Sequence, residues 1–157
     1  MMTFTRAMDL YLGTITTITS PISYIFIVIA LYFLLKRREE AMDLLLVLVV
    51  SLALNHLLKN LFQAPRPFVV DESLSNRFTE KTGGYSFPSG HSQLIGAFCS
   101  YYILKYRNRL SWILGGLMVV SVAYSRVYFH LHYFRDVAAG LILGGGVSWL
   151  YLRYRKV

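Results

Sequence analysis

Cysteine occurs once, at Cys99 inside an apolar run, so no intramolecular disulfide staples this chain. The residue reads as a small packed hydrophobe rather than a reactive thiol. Charge is also scarce. Only 15% of the 157 residues are Asp, Glu, Lys or Arg, against 55% hydrophobic, which lies outside the range of a soluble globular chain. The compact charged-then-apolar layout of a cleaved signal peptide is missing, because Arg6 stands alone before a Thr-rich stretch, and the first helices are expected to stay in the mature protein. No internal repeat or low-complexity linker interrupts the chain, which points to a single domain over residues 1–157.

The uncharged runs cover about residues 10–35, 44–58, 82–104, 110–125 and 137–152. Several approach the roughly 20 residues needed to cross a bilayer. The net charge of +8 could suggest nucleic acid, but its placement argues against that partner. The basic residues cluster at Lys36, Arg37 and Arg38, at Lys105, Arg107 and Arg109, and at Arg153, Arg155 and Lys156, each group immediately flanking an apolar run. Cytoplasmic Lys and Arg occupy that position in membrane proteins.

Residues 1–19 place Phe4, Met8, Tyr11, Ile15 and Ile18 at steps of three and four, the period of an amphipathic helix lying in the membrane interface. The remainder, 20–153, reads as a transmembrane core. A first span begins at Pro21, tolerated in the first turn of a helix, and runs to about Leu35. A second runs from about Ala41 to Phe62 and is stopped by Pro65 and Pro67. The third extends from near Ser89 to the Lys105 cluster, the fourth from Trp112 to near Tyr128, and the fifth from Asp136 to Leu152. The expected fold is therefore an all-α, integral-membrane bundle of about five transmembrane helices plus the N-terminal interfacial helix. Alternating loops put the three basic clusters on one side and loops 63–88 and 127–135 on the other.

Three polar islands interrupt this apolar chain. They are Lys59 with Arg66 and Pro67, then Pro88-Ser89-Gly90-His91, then Ser125-Arg126 followed by His132 and Asp136. All fall toward the non-cytoplasmic face. Three cations, two imidazoles and a carboxylate suit phosphoryl transfer, in which a protein positions a phosphate, neutralises its oxygens and moves one proton. Lys59 and Arg66 are about two helical turns apart, so both heads can reach one pocket. Arg126 at the outer end of the fourth span is costly at membrane depth unless paired or bound to ligand. The three together make sense as a phosphate clamp standing in for metal ions. Ser89 can cap the third helix while the Ser89, Gly90 and His91 amides form an anion nest. If the fifth helix begins by His132, that residue and Asp136 share one face, and the carboxylate can fix the imidazole tautomer. The plainer alternatives are a helix-capping Asp beside an interfacial His, and a hydrogen-bonded structural His at position 91. Ser125 reads equally as a hydrogen-bond partner or a packing hydroxyl, and His56 as a helix-packing residue.

The spacings Lys-x6-Arg-Pro, Pro-Ser-Gly-His and Ser-Arg-x5-His-x3-Asp, in this order, resemble the tripartite signature of the phosphatidic acid phosphatase type 2 superfamily, relatives of the vanadium haloperoxidases. The resemblance covers roughly residues 20–153. It implies an integral-membrane lipid phosphatase in which His132 is the nucleophile, forming a phosphohistidine, with Asp136 as its orienter. It also makes His91 the general acid that later activates water. No cofactor or metal is implied, and the partners are a lipid phosphate substrate and the bilayer. Phosphatidic acid, phosphatidylglycerol phosphate and polyprenyl diphosphates all fit. His130 stands where many relatives have Gly, and Phe134 where Pro is frequent. The competing readings are vanadate-dependent oxidation, which belongs to a soluble branch, and a non-catalytic lipid-phosphate binding or transport protein. Short loops, small size and the Lys/Arg asymmetry favour a prokaryotic inner membrane.

Overall fold

The computed structural model describes residues 2–18, 21–30, 32, 36–80 and 82–155. The regular structure in these residues is entirely helical: α1 (Met2–Ile18), α2 (Pro21–Ile29), α3 (Arg38–Phe62), the single turn α4 (Pro67–Val70), a 3-10 turn at Glu72–Leu74, α5 (Gly90–Tyr106), α6 (Arg109–Tyr128) and α7 (Phe134–Tyr154). The expected spans map onto α2, α3, α5, α6 and α7. The end of the first one, residues 33–35, and the side chains of Phe4 and Ile18 lie outside the described residues, as does Lys156.

Local chemistry fixes the helix ends. α3 stops at Phe62, where Gln63 turns left-handed (φ 45°) and donates its amide to the Lys59 carbonyl, just ahead of Pro65 and Pro67. The Ser89 hydroxyl caps α5, accepting from the Ser92 amide, and Asn108 caps α6 through Ser111. In α7 the Asp136 carboxylate reaches back to the Tyr133 amide at 3.0 Å in a capping-box arrangement.

α5 is the central helix and packs against α3, α6 and α7. It runs parallel to α7, and the two backbones nearly touch. A Cβ on Gly140 would sit 2.6 Å from the Ser89 carbonyl oxygen and one on Gly96 would sit 2.9 Å from that of Leu141, while one on Gly144 would overlap the Gln93 carbonyl. Gly140, Gly144 and Ser148 recur every four residues, the small-residue stripe that lets membrane helices approach closely. Ser148 Oγ also donates to the Ala97 carbonyl at 2.6 Å. Cys99 is buried in this core beside Leu94, Ile95 and Val122.

The outside of the bundle is as apolar as its centre. Leu57 and Leu61 on α3, Leu117 and Val120 on α6 and Ile142 on α7 are all more than 60% exposed. Large apolar side chains exposed on several helices at once mark a lipid-facing surface. Among the described residues, the stretch Arg38–Val70, which contains α3, and Arg109–Tyr128 are long and apolar enough to cross a membrane by themselves. α5 and α7 spend their sequence on glycine, hydroxyl and site residues facing each other, which lowers their hydropathy.

α1 is more than an interfacial ribbon. Its Leu12 is buried against Phe129 and Leu131, Tyr11 Oη lies 3.0 Å from Ser121 Oγ, and Tyr128 donates to Asp9 at 3.1 Å. It leans on α6 and on loop 71–88, so it forms one wall of the polar end.

Candidate active site

The C-terminal ends of α3 and α6 and the N-terminal ends of α5 and α7 meet at one end of the bundle, roofed by loops 63–89 and 129–133. There they enclose a cavity of about 920 Å³ whose lining includes Arg66, His91, Arg126 and His132, faced by Asp9, Gly13 and Thr14 of α1 and by Arg77 and Phe78 of the loop. Residues from all three polar islands thus converge on one space. Lys59, Ser89, Gly90 and Asp136 stand behind its wall rather than on it.

His132 lies in the loop before α7, which begins at Phe134. The expected one-face helical pairing with Asp136 is therefore not what joins them. The loop is folded back by the Leu131 and His132 amides, both donating to the Arg126 carbonyl at 3.1 and 3.2 Å. This brings His132 Nδ1 to 3.7 Å from Asp136 Oδ2, longer than a hydrogen bond. Ser86 fills the interval. Its hydroxyl, fully buried, donates to Asp136 Oδ2 at 2.5 Å and lies 3.3 Å from His132 Nδ1. The imidazole's other nitrogen, Nε2, is 3.3 Å from Arg66 Nη1 and faces the cavity. A serine in a polar loop carries no periodic signal, so the sequence alone does not mark Ser86; its place two residues before the Pro-Ser-Gly-His island is the one clue.

Burial holds the His132 imidazole at about 4, well below its ordinary value of 6.5, with Arg66 and Lys59 pushing the same way and Asp136 opposing. The ring is neutral at neutral pH and carries a lone pair.

Arg66 is held by its surroundings from every side. Nε and Nη2 donate to the Gly84 and Gly83 carbonyls at 3.0 Å each, and Nη1 donates to the Leu131 carbonyl at 2.9 Å. Lys59 donates to the carbonyls of Tyr85 and Ser86, which fastens the loop carrying Ser86 to α3. Arg126 is buried at the end of α6, with Nε 3.1 Å from Ser125 Oγ; Ser125 in turn donates to the Val122 carbonyl. The Ser125 hydroxyl therefore orients the arginine beside it.

The Ser89 amide donates to the Asp136 carbonyl at 3.0 Å, which ties α5 to α7 and leaves Gly90 and His91 as the first-turn amides for an anion. Two buried side-chain amides, Asn55 of α3 and Gln93 of α5, tie this turn to α3. Asn55 Nδ2 donates to the Pro88 carbonyl at 3.3 Å and to Gln93 Oε1 at 2.8 Å, and Gln93 Nε2 donates to the Ser51 carbonyl at 2.7 Å. Both lie on helices the sequence read as apolar spans. His56 pairs with Asn60 at 3.0 Å on the exposed surface of α3. His130 adopts φ 55°, the left-handed region in which glycine is unstrained.

Bundle and cavity together define an all-helical membrane protein with a cationic, two-histidine pocket at one end. Residues 40–157 match the PAP2 superfamily, and the chain belongs to that family. It is 35% identical over 124 residues to an undecaprenyl-diphosphatase of Sulfolobus acidocaldarius, covering 78% of this chain and 59% of that protein. It is 31% identical over 132 residues to a dolichyldiphosphatase of Saccharomyces cerevisiae, covering 76% and 54%. The chain thus spans a little over half the length of these relatives. Its fold matches a crystal structure described as the first transmembrane PAP2 type phosphatidylglycerolphosphate phosphatase, from Bacillus subtilis, with a TM-score of 0.77 at 24% identity over 93% of this chain and 75% of that one.

Proposed function

We propose that this chain is a membrane lipid phosphatase that removes a terminal phosphate from a lipid mono- or diphosphate and works without a divalent metal. The observation that carries the reading is that one cavity is lined by Arg66, His91, Arg126 and His132, drawn from all three motifs. The names of the relatives, two polyprenyl-type diphosphatases and a phosphatidylglycerolphosphate phosphatase, support the substrate class.

In this reading the phosphate sits between the Arg66 and Arg126 guanidiniums and the first-turn amides of α5, with Lys59 adding positive charge from behind the wall. Arginine offers paired donors matched to phosphate oxygens. His132 Nε2 attacks phosphorus in line, and the bond from phosphorus to the lipid oxygen breaks as that oxygen takes a proton from His91. The imidazolium charge developing at Nδ1 is relayed through Ser86 to Asp136. Water then gives a proton to His91 and attacks the phosphorus–nitrogen bond, releasing phosphate and restoring His132.

The basic clusters at the opposite end favour placing that end in the cytoplasm, so the site faces the non-cytoplasmic side, and a prokaryotic inner membrane suits the short loops. The whole of 1–157 acts as one catalytic domain. The test is phosphate release by detergent-purified protein from phosphatidic acid, phosphatidylglycerol phosphate and a polyprenyl diphosphate, with and without EDTA. Release from at least one lipid, unchanged by EDTA, is expected. No release from any, with the lipid phosphates still bound, would favour a binding or transport protein instead.

A further inference from the structure

A second cavity lies at the other end of the bundle, where α5 and α7 finish. Like the first it measures about 920 Å³, and four cations line it, Lys105, Arg107, Arg153 and Arg155, together with the carboxylates of Glu39 and Asp43. The two carboxylates do not cancel the four cations. Asp43 is already engaged, accepting from Tyr151 Oη at 2.7 Å and Tyr101 Oη at 3.1 Å and pairing with Arg155. Glu39 is 94% exposed and lies 3.9 Å from that same Arg155. Lys105, Arg107 and Arg153 therefore give the cavity a net positive field.

Their geometry suits one kind of guest. Lys105 Nζ is held 2.9 Å from Tyr101 Oη, and the Arg153 guanidinium carbon lies 5.2 Å from the centre of the Trp149 ring, in reach of a cation–π contact. The rest of the lining, Leu104, Tyr106, Leu152 and a half-exposed Trp149, is largely apolar. Fixed cations beside an apolar, membrane-level wall fit a phosphodiester headgroup whose acyl chains stay in the bilayer. Basic residues needed only to orient the chain would require no cavity and no ring to hold them.

We infer that this cavity binds the headgroup of an anionic phospholipid in the leaflet opposite the candidate active site. The inference rests on the membrane-bundle reading and not on the phosphatase reading. Purified protein in mild detergent is offered equal amounts of phosphatidylserine and phosphatidylcholine, and retained lipid is counted by native mass spectrometry. One phosphatidylserine per chain, held at least fivefold over phosphatidylcholine, is expected. An Arg107→Gln/Arg153→Gln double variant, both side chains being exposed, should keep its helical circular dichroism and its phosphate release while losing that preference. Lys105→Gln alone should weaken it in the same direction. Equal retention of the two lipids by wild type, or an unchanged preference in the double variant, would overturn the inference. So would loss of phosphatidylserine in Arg66→Ala, which would place the lipid in the other cavity, or its displacement by millimolar inorganic phosphate, which would make the guest a free anion.

Discussion

The contact between α5 and α7 sets the distance between the two histidines, and Gly140 is where it can be disturbed with least else changed. Gly140 faces Ser89, the cap of the helix that carries His91, and Ser89 is also hydrogen-bonded to the Asp136 carbonyl. In Gly140→Ala the new methyl would lie 2.6 Å from the Ser89 carbonyl oxygen and 3.1 Å from the Gln93 amide, both backbone atoms that cannot swing aside. Ordinary contact begins at 3.4 Å, so the N-terminal turn of α5 must retreat by about 0.8 Å. A misplacement of about 1 Å in a reacting constellation costs on the order of 10²-fold in rate, and overpacking costs roughly 1–3 kcal/mol of stability. We expect Gly140→Ala to fold, to lose roughly 10- to 100-fold in kcat for lipid phosphate hydrolysis, and to unfold at lower temperature in detergent. Gly146→Ala on the same helix, with no atom within 4 Å of the added carbon, is the matched control and should retain wild-type kcat. A folded Gly140→Ala with undiminished kcat would refute the reasoning, as would an equal loss in Gly146→Ala.

Ser86→Ala removes the hydroxyl between His132 and Asp136; a hydrogen bond to a charged group contributes about 1.5–3 kcal/mol, so kcat should fall at least tenfold with KM nearly unchanged, and a rise in KM alone would contradict the relay. His130→Gly should raise stability by about 1 kcal/mol by relieving a left-handed backbone, measured by thermal unfolding; a loss of stability would mean the His130 side chain is itself holding the loop. Burial lowers the folded-state pKa of His132 to about 4, so the folded protein gives up this proton more readily than the unfolded chain; the stability contribution is complete above pH 6.5 and drains as pH falls toward 4. Selective ¹⁵N-histidine NMR, assigned with His132→Ala, should place its midpoint below pH 5, and a midpoint near 6.5 would remove the case for a neutral, buried nucleophile.

Much of the fold is readable because membrane helices are written in long runs. Pro65 and Pro67 mark the end of α3, Ser89 caps α5, and the basic clusters bracket the spans. The residues that meet at the first cavity are likewise legible, since Lys, Arg, His and Asp stand out against an apolar background. What stayed hidden depends on three-dimensional closure. His132 reaches Asp136 through a folded loop instead of along a helix, so the pairing needs Ser86, 50 residues from Asp136 in sequence. Asn55 and Gln93 sit in apolar runs and acquire meaning only when α3 and α5 pack. Lys59 belongs to the expected phosphate clamp, yet its ammonium donates to two loop carbonyls, those of Tyr85 and Ser86, which only the folded loop brings within reach. The interfacial period of α1 is present in the sequence, but its place as a cavity wall depends on Leu12 finding Phe129 and Leu131.

The central claim is that His132 carries the phosphoryl group. Purified protein mixed with a ³²P-labelled lipid phosphate and quenched within milliseconds should yield labelled protein whose phosphate is lost in acid and stable in base, the behaviour of a phosphorus–nitrogen bond. His132→Ala should give no label and no turnover, while His91→Ala, slowed by roughly 10² to 10⁴, should still accumulate label from a diphosphate, whose leaving group needs little protonation. Base-labile label in the wild type, or full phosphate release by His132→Ala, would contradict the account.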